Sequence, residues 1–449
     1  MTSKLAFSCI IAASIVGCGV SPASRSDVGE DIQEYLNSDV AIAVSEDTAA
    51  AIDLSKGYTP SLLSAVTRHQ TYISAVAIER EAISQIGVAQ SLRKPQVNAN
   101  ASVVAAREIG GDSATSSGVP GGISLSQLIY DGGGSASAVN RATALAFAAQ
   151  ADRISLSNEV ALGAARAWID FWQYSERLRL LKLRTSEMSM LVDQIERMAE
   201  NGLLDRASLD GARRQIVEID LEEARLRNGQ AEAAIFFNRF FAGAPTELPH
   251  PEDLVSSAQA RAIAKEWRNA PSLQRQAAEV FATKAAVAEA EAAFRPKARV
   301  TAGGRSPTDN SEAPELGFGL SLEYTWGDGG RRRAQLESAQ FRYDATIAQL
   351  TDAQSALQSE LEAMLIRLSA IEASIPLLQE KLRLSQSESE TSRSQLMTGQ
   401  SNLRQVVEAE IEIYRAQDQQ LAMHAERQIL LLTIAARTGA LTGLIGLKE

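Results

Sequence analysis

The sequence predicts a mainly α-helical protein with a small β part, in which long antiparallel coiled-coil helices form two internal repeats. An Asp-Gly-Gly turn follows an apolar, strand-like run twice, at Asp131 and at Asp328. Each turn precedes a very long helical pattern, and a single glycine lies 71 positions after each aspartate, at Gly202 and Gly399. The shared offset of 197 positions therefore predicts two copies of one unit, made of strands, a long helix, a tight turn and a second long helix.

The composition restricts the classes of protein to which the chain can belong. Of the 449 residues, 22% are charged and 45% are apolar, which excludes a disordered polyelectrolyte. Aromatic residues make up only 5%, a low fraction that suits Ala-rich helices packed side by side. The net charge of −11 and the lack of a basic patch interleaved with aromatics argue against a nucleic-acid partner.

The N-terminus has the features of a secretion signal. Lys4 supplies the positive charge, and residues 5–16 form an apolar run that is too short to span a bilayer. The run ends at Ile15-Val16-Gly17-Cys18, which resembles the bacterial lipobox, where the signal is cut before the cysteine and the thiol receives a lipid. We therefore expect lipidation at Cys18.

Two segments follow from this interpretation of the N-terminus. Residues 1–17 are expected to be the signal peptide, and residues 18–56 the lipid-anchored N-terminal segment of the mature protein. Gly19 is not the aspartate that usually retains such lipoproteins in the inner membrane, which favours sorting to the outer membrane. The alternative is an ordinary signal peptide with an incidental cysteine.

Between the helical patterns, the apolar period changes to two, which predicts β-strands. The expected strands are residues 96–106 and 122–130 in the first copy, and a strand starting at 299–303 and another at 318–326 in the second. Phe318, Leu320, Leu322, Tyr324 and Trp326 alternate with smaller or polar residues. This alternation is typical of outer-membrane strands with interfacial aromatics, although a soluble half-buried sheet alternates too.

The number of predicted strands limits how they could cross a membrane. Apart from the signal, no run approaches the roughly 20 apolar residues of a transmembrane helix, so any span would consist of β-strands. Four strands are too few to close a barrel, and open sheet edges are not tolerated in lipid. Several chains would therefore have to share one barrel.

The long helices carry the strongest periodic signal. From Val160 to Ile195, apolar residues recur in steps of four and three, a period of 3.5 that predicts left-handed coiling on neighbouring helices. The apolar residues from Leu357 to Leu382 fall at the same positions of the repeat, because subtracting 197 from their numbers gives the apolar positions of the first copy. A continuous helix over residues 134–200 would be about 100 Å long.

Prolines and glycines mark the other helix boundaries. Thr59-Pro60 predicts the N-cap and first position of a helix that runs to about Leu92, before Pro95. Pro376 lies inside the second long pattern, where we expect a kink or a break. The resulting segments are a first repeat at 57–243, a linker at 244–256, a second repeat at 257–443 and a short tail at 444–449.

This ordered set of features resembles the TolC-like outer-membrane efflux channels over roughly residues 57–443. The resemblance rests on the duplicated layout, the proline before each first strand, the Asp-Gly-Gly after each second strand and the two glycine turns. Together with the lipobox, it is closest to the lipid-anchored members that serve drug or metal efflux pumps. It implies a homotrimer whose chains each give four strands to a twelve-stranded barrel in the outer membrane of a Gram-negative bacterium. A long α-helical barrel then crosses the periplasm and docks on a periplasmic adaptor and an inner-membrane transporter.

The resemblance also implies roles for single residues. The adaptor-contact tips would be Gly202, Leu203, Gly399 and Gln400, and the strand-to-helix junctions Asp131, Gly132, Asp328 and Gly329. In the family, aspartates six and nine positions after the second glycine line the closed tunnel mouth. Those positions are Gln405 and Glu408 here, with Glu412 one turn further on, so the acidic ring is expected to be displaced or weaker. The alternative for both glutamates is a solvated helix face.

The sequence offers no support for an enzyme. His69, His250 and His424 are scattered, and no metal-ligand spacing, nucleophile elbow or phosphate-binding loop occurs. We therefore expect no catalytic residue, metal or cofactor. The cations at Arg331 to Arg333 oppose the dipole of the helix they begin, and a solvated basic turn is favoured over contact with lipid headgroups or anionic cargo.

Two functional classes remain open at this point. The favoured function is a passive export channel, either for small-molecule efflux or for type I protein secretion. The alternative is a lipid-tethered periplasmic coiled-coil scaffold without a pore. The alternating strand at 318–326 favours the channel, because a scaffold does not need it. A passive duct would leave the selection of cargo largely to the pump.

Overall fold

A computed structural model describes residues 52–107, 115–118, 120–200, 206–243, 247–306, 313–397 and 403–447, together with residue 33 alone. The chain divides into two units, Met1–Ala51 and Ile52–Glu449, and the description that follows concerns the second. Most of its described residues are helical and the rest of its regular structure is a few short strands, so the predicted fold class of a mainly α protein with a small β part is confirmed.

Apart from the β2-β3 hairpin of the first half and the short last helix of the second, the helices and strands follow the same order in the two halves of the unit. The first half contains α1 (Tyr58–Arg68), α2 (Gln70–Ser91), β1 (Gln96–Ala101), β2 (Val104–Arg107), β3 (Thr115–Gly118), β4 (Gly121–Tyr130), α3 (Gly134–Glu200) and α4 (Arg206–Phe241). The second half contains α5 (Ser257–Lys265), α6 (Pro271–Ala292), β5 (Lys297–Arg305), β6 (Glu315–Glu323), α7 (Arg331–Met397), α8 (Leu403–Arg437) and α9 (Leu441–Leu444).

The two long helices α3 and α7 have the same length and the same buried seam. Each is 67 residues long, or about 100 Å at 1.5 Å per residue. The predicted apolar register is buried in both, at Val160, Ala164, Ala167, Phe171, Leu178, Leu181 and Met188 in α3 and at Leu357, Leu361, Leu368, Ile371 and Leu378 in α7. Helix α3 packs against α2, α4, α6 and α8, whereas α7 packs chiefly against α6 and α8. Within one chain, α3 is therefore a central helix and α7 an edge helix.

The main sheet has four antiparallel strands in the order β1-β4-β5-β6. Its register pairs Gln96 with Ser126 and Lys297 with Glu323. Strands β1 and β5 thus begin, and β4 and β6 end, at the same end of the strands. All four connections to helices lie at this end, which we call the helix side of the sheet.

The first strand region differs from its prediction. The expected strand at 96–106 is divided at Ser102 and Val103 into β1 and β2, and β2 pairs with β3 as a separate hairpin. Opposite the interruption lies Pro120, whose carbonyl accepts a hydrogen bond from the Ser102 amide at 3.0 Å. Proline has no amide to donate, so the ladder breaks there. The Ser-rich β3 lacks the apolar alternation by which a strand is recognised.

Two helix boundaries also differ from the predictions. The single helix expected from Thr59-Pro60 to Leu92 begins two residues earlier, at Tyr58, and is broken at His69 into α1 and α2. His69 has extended backbone angles, and its Nδ1 atom accepts a hydrogen bond from the Thr71 amide at 3.2 Å, which caps α2. Helix α7, by contrast, continues through Pro376 without a break.

The largest core cluster lies where α1, α3, α4, α8 and α9 meet. Its centre is Trp168, whose ring lies within 6 Å of the rings of Tyr58, Phe237 and Phe241. The short helix α9 is held to α3 by buried hydrogen bonds between Asn158 and Thr442, both at 3.1 Å. This core fixes the middle of the long α3 helix and leaves its two ends to the sheet and to the hairpin.

Candidate functional site

The two strand-to-helix junctions form the same hydrogen-bonded turn. The Oδ1 atom of Asp131 accepts a hydrogen bond from the Gly133 amide at 3.1 Å, and its Oδ2 atom accepts one from the Ser135 amide at 2.6 Å. Asp328 accepts the equivalent bonds from the amides of Gly330 and Arg332, at 3.2 and 3.1 Å. Each carboxylate therefore satisfies free amides at the start of a 67-residue helix and accumulates negative charge at the positive end of its dipole.

The glycines of both turns have backbone angles that other residues rarely adopt. Gly132 and Gly133 have φ of +69° and +95°, and Gly329 and Gly330 have +65° and +90°. At Gly132, a Cβ atom would also lie 2.5 Å from the side chain of Arg295. The motif is thus explained by geometry: the aspartate caps the helix, and the glycines allow the left-handed turn that leads into it.

Both aspartates are held in their charged form. Burial raises the pKa of Asp131, but hydrogen bonds from Ser135 and Gly133 and the nearby Lys297 outweigh this, and the pKa lies below its usual value. The hydrogen bond from the Arg332 guanidinium, at 2.7 Å, is the main cause of the lowered pKa of Asp328. The two turns are therefore stable anionic caps at neutral pH.

The main sheet exposes apolar side chains to its surroundings. Phe318 is 88% exposed, and Leu320 and Leu322 are almost as accessible. Trp326, just after β6, is 91% exposed and stacks edge-on against Tyr324 with ring centroids 5.0 Å apart. Monomeric proteins seldom leave a continuous apolar surface of this kind uncovered, so it marks a contact with a membrane or with another chain.

The predicted constriction residues lie near the start of α8. Gln405 and Glu408 are exposed, whereas Glu412 is half-buried and pairs with Arg415 at 2.8 Å and with Lys381 at 3.2 Å. The hydrogen bond from Arg415 chiefly lowers the pKa of Glu412, burial opposes this effect, and Lys381 adds to it. The charge of Glu412 is thus balanced within its own chain, while its role at a constriction, like that of Glu408 and Gln405, stays a prediction.

Sequence reasoning missed a buried acid two residues from Glu408. The side chain of Glu410 is only 4% exposed, and it pairs with Arg184 of α3 at 3.3 Å and with Arg393 of α7 at 2.7 Å. It also accepts a hydrogen bond from Ser389. Glu410 therefore connects three long helices. The signal that could have revealed it is the offset of 197, which relates the Arg393–Glu410 pair to Glu196 and Arg213, a reversed pair that is also in contact at 3.3 Å.

Several predicted positions lie outside the described residues. These are the lipidation site Cys18 and the tip residues Gly202, Leu203, Gly399 and Gln400. Helix α3 ends at Glu200 before α4 begins at Arg206, and α7 ends at Met397 before α8 begins at Leu403. The helix ends at Glu200 and Met397 thus lie at equivalent positions of the two copies, and the role of the predicted turns at the tip stays a prediction.

The three histidines are placed separately. His69 stacks on Phe240 at 5.3 Å, His250 lies edge-on to Trp172 at 4.6 Å, and His424 is exposed on α8. Over the part of the chain that the structure describes, no group of three His, Cys, Asp or Glu residues could hold a metal ion.

Among the described ranges, none of the helices is both long enough and apolar enough to cross a bilayer.

The second copy of the repeat matches a known family by sequence. Residues 262–440 match the family model described as outer membrane efflux protein. No curated protein sequence shows significant similarity to the chain.

The fold is similar to that of several solved channels. CusC has a TM-score of 0.74 and 18% identity, over 87% of this chain and 92% of its own. VceC from Vibrio cholerae, an outer membrane protein, has a TM-score of 0.74 and 16% identity, over 86% and 96%. The open state of the MtrE outer membrane channel from Neisseria gonorrhoeae has a TM-score of 0.71 and 18% identity, over 85% and 89%.

These similarities cover complementary parts of the chain. At identities of 16–18%, the solved structures establish the shared fold, and they do so across both copies of the repeat. The family model adds a sequence match within the second copy. The predicted resemblance to the TolC-like outer-membrane efflux channels is thus confirmed, by the family model over residues 262–440 and by the fold over most of the chain.

Proposed function

We propose that three copies of this chain form a passive outer-membrane channel, which conducts substrates from the periplasm to the exterior. The observation that carries the proposal is the junction of four exposed antiparallel strands to two 67-residue helices through two equivalent capped turns. Outer membrane efflux proteins of this kind work as trimers with adaptors and inner-membrane transporters. We infer that this chain receives its substrates from a periplasmic adaptor and an inner-membrane transporter.

The edges of the sheet support sharing between copies. Among the described residues of one chain, β1 and β6 each have an unpaired edge, which is a template for further pairing. They run in opposite directions, since β1 begins and β6 ends at the helix side of the sheet. Strand β6 of one copy can therefore pair antiparallel with β1 of the next. Three copies then give the twelve strands of a closed barrel with no edge left in the lipid.

The outer face of α7 supports the same arrangement. Phe341, Ile366, Leu377 and Leu384 are exposed on this helix, at separations of 25, 11 and 7 residues. These separations are close to whole numbers of turns at about 3.6 residues per turn, so the four side chains form one stripe. The stripe lies opposite the buried seam that contains Leu368 and Ile371. A second copy packed against α7 would cover it.

The remaining assignments complete the proposed channel. Lipid on Cys18 would anchor residues 18–56 at the outer membrane, and the repeats at 57–243 and 257–443 would form the channel and its periplasmic extension. The turns at Gly202-Leu203 and Gly399-Gln400 would meet the adaptor. Palmitate labelling of the wild type, with Cys18→Ala as the unlabelled control, tests the anchor.

The proposed constriction is formed by Glu408 together with Glu412 and Gln405. Threefold symmetry would bring three Glu408 side chains toward one axis, and a ring of acids favours cations over anions. Two carboxylates about 6 Å apart repel by roughly 3 kcal/mol at an effective dielectric near 20, so other contacts must hold the ring closed. The position of Glu408, nine residues after Gly399 and equivalent to one of the family's aspartates, makes it the main acid of this ring.

Conductance in planar bilayers tests the proposed function. The purified full-length protein should form cation-preferring pores, and Glu408→Gln should reduce the preference. The double variant Ile366→Asp with Leu377→Asp should form none, because each carboxylate buried without a partner costs about 3 kcal/mol or more. The control variant carries Gln358→Asp and Ser369→Asp, which add the same charges beside the stripe and should leave pores intact. A wild-type protein that inserts but never conducts would favour the scaffold without a pore.

A further inference from the structure

On the helix side of the main sheet, one group of cations lies next to each of the two edge strands, β1 and β6. Arg93 and Lys94 lie between α2 and β1, and Arg331, Arg332 and Arg333 begin α7 after β6. The sheet order places β1 and β6 at its two edges, so the groups occupy the two outer corners of one chain.

Arg332 is fully engaged within its own corner. Its guanidinium binds Asp328 at 2.7 Å, donates to the carbonyls of Thr325 and Ala293 at 2.6 and 3.1 Å, and lies over the ring of Phe294. This side chain has a structural role, because it ties the start of α7 to the end of α6.

The other four cations have no such role. Arg93, Lys94, Arg331 and Arg333 are exposed, and within the described residues their side chains make no ion pair or hydrogen bond. Asp328, which lies close to Arg331 and Arg333 in the sequence, already binds Arg332. Positive charge therefore exceeds negative charge at both corners.

The position of Arg331 and Arg333 is unfavourable for their own helix. They lie in the first turn of α7, where the helix dipole is positive and cations are disfavoured. A helix-stabilising role could explain Arg93 and Lys94, which follow the C-terminal end of α2, but it cannot explain the arginines of α7. A ligand with negative charge would explain both corners.

Assembly would bring the two corners together. This step rests on the proposed function, in which β6 of one copy pairs with β1 of the next. Paired strands lie about 5 Å apart, and the helices that follow them are about 10 Å wide. Arg331 and Arg333, on either side of the α7 face that carries Phe341, would therefore lie close to Arg93 and Lys94 of the neighbouring copy. Within one chain the two pairs of cations lie at opposite corners, so the four come together only at a boundary between two copies.

The aromatic residues beside this group indicate its depth relative to the membrane. Tyr324 and Trp326 lie between β6 and α7, and tryptophan and tyrosine are enriched where hydrocarbon meets headgroups. Arg331 and Arg333 follow a few residues later, on the water side of that level. We propose that each boundary between copies binds the phosphate of an anionic phospholipid between Arg331 and Arg333 of one chain and Arg93 and Lys94 of the next. Guanidinium groups suit this ligand because they bind phosphate oxygens bidentately.

Native mass spectrometry of the full-length trimer tests this site with phosphatidylglycerol as the probe and phosphatidylcholine as the uncharged comparison. Up to three phosphatidylglycerol molecules should remain bound per trimer under conditions that remove phosphatidylcholine. Arg331→Gln with Arg333→Gln should weaken retention roughly 25-fold, because each cation near an anionic lipid contributes about fivefold. Arg93→Gln with Lys94→Gln should have a similar effect. The control, Lys182→Gln with Lys265→Gln, removes two exposed cations far from the sheet and should retain the wild-type stoichiometry.

The outcomes separate this site from the proposed function. Trimers that conduct but retain both lipids equally, or lose phosphatidylglycerol as readily in the control variant, would overturn the lipid site alone. Competition by inorganic phosphate as strong as that by phosphatidylglycerol would also overturn it, in favour of a site for free phosphate. A wild-type chain that never forms trimers would refute the channel itself. If a variant does not assemble, the salt dependence of the wild-type trimer provides the test. Its retention of phosphatidylglycerol should fall as the salt concentration rises. Retention that does not depend on salt would contradict the site.

Discussion

The two helical hairpins, α3 with α4 and α7 with α8, have the same buried apolar register. The contacts that join the two helices beside this apolar seam differ between the hairpins. In the first hairpin, the ring of Phe240 packs directly against Gly163, where a Cβ atom would lie 2.8 Å from it. The equivalent positions of the second hairpin, 197 residues later, are Arg437 and Glu360, which form an ion pair at 3.0 Å. The first hairpin thus has an aromatic ring packed on a glycine where the second hairpin has a salt bridge.

A second pair of equivalent positions differs by a reversal of charge. Glu196 of α3 binds Arg213 of α4, and Arg393 of α7 binds Glu410 of α8. The first pair is exposed, whereas Glu410 is buried and has also acquired Arg184 as a partner. The comparison shows that the apolar seam sets the register of both hairpins. Contacts beside the seam can change in kind as long as both partners change together.

The largest expected effect concerns the buried acid of the second hairpin. Glu410→Ala removes a buried carboxylate that pairs with Arg184 and Arg393, and breaking a buried ion pair of this kind should cost about 3–5 kcal/mol of stability. The matched control is Arg213→Ala at the equivalent position of the first hairpin, where an exposed pair is worth about 0–1 kcal/mol. The midpoint of thermal loss of helical circular dichroism, measured in detergent, compares the two. Equal shifts for the two variants would mean that the burial of Glu410 has no energetic consequence.

A smaller effect is expected where the first hairpin is closed by an aromatic ring. Gly163→Val forces side-chain atoms into the space of Phe240, and overpacking of this kind costs about 1–3 kcal/mol. Glu360→Val at the equivalent position of α7 removes only an exposed ion pair with Arg437, so its thermal midpoint should change less. A Gly163→Val protein as stable as the wild type would show that α3 and α4 can separate freely at this point.

The smallest effect is expected at the junctions, where the two copies have the same structure. Asp131→Ala removes the cap of α3 and should cost about 1 kcal/mol, whereas Asp131→Asn keeps a capping oxygen and should cost less. Asp328→Ala should destabilise the protein in the same direction. The pKa values of both aspartates lie below the ordinary 3.8, so the stabilisation is complete at neutral pH and is lost as the pH falls through the lowered values. A titration of stability with acid checks this, and destabilisation by Asp131→Ala that persists unchanged at low pH would contradict it.

The sequence predicts those features that are repeated or periodic. The 197-residue offset and the 3.5-residue period are sufficient to predict two 67-residue helices and a seam through residues such as Ala164 and Leu361. The Asp-Gly-Gly turns are predictable because aspartate and glycine have specific backbone preferences at the start of a helix.

Features that depend on contacts of single side chains were not predicted. The break at His69 depends on a side-chain cap and on the ring of Phe240, and neither produces a periodic pattern. The position of Glu410 depends on Arg184, which lies more than 200 residues away in the chain. Charged residues on long helices usually face water, so its burial becomes visible only when three helices are placed together.

The central claim, that each chain supplies one third of a channel, is tested most directly by the mass of the assembled protein. The chain has exposed edges at β1 and β6 and an uncovered apolar stripe on α7, all of which require a neighbour. Native mass spectrometry of the full-length protein, released from membranes in a mild detergent, should give a single species of three copies. A stable, membrane-inserted species with one copy of the chain would contradict the account, because four strands cannot close on themselves in a bilayer.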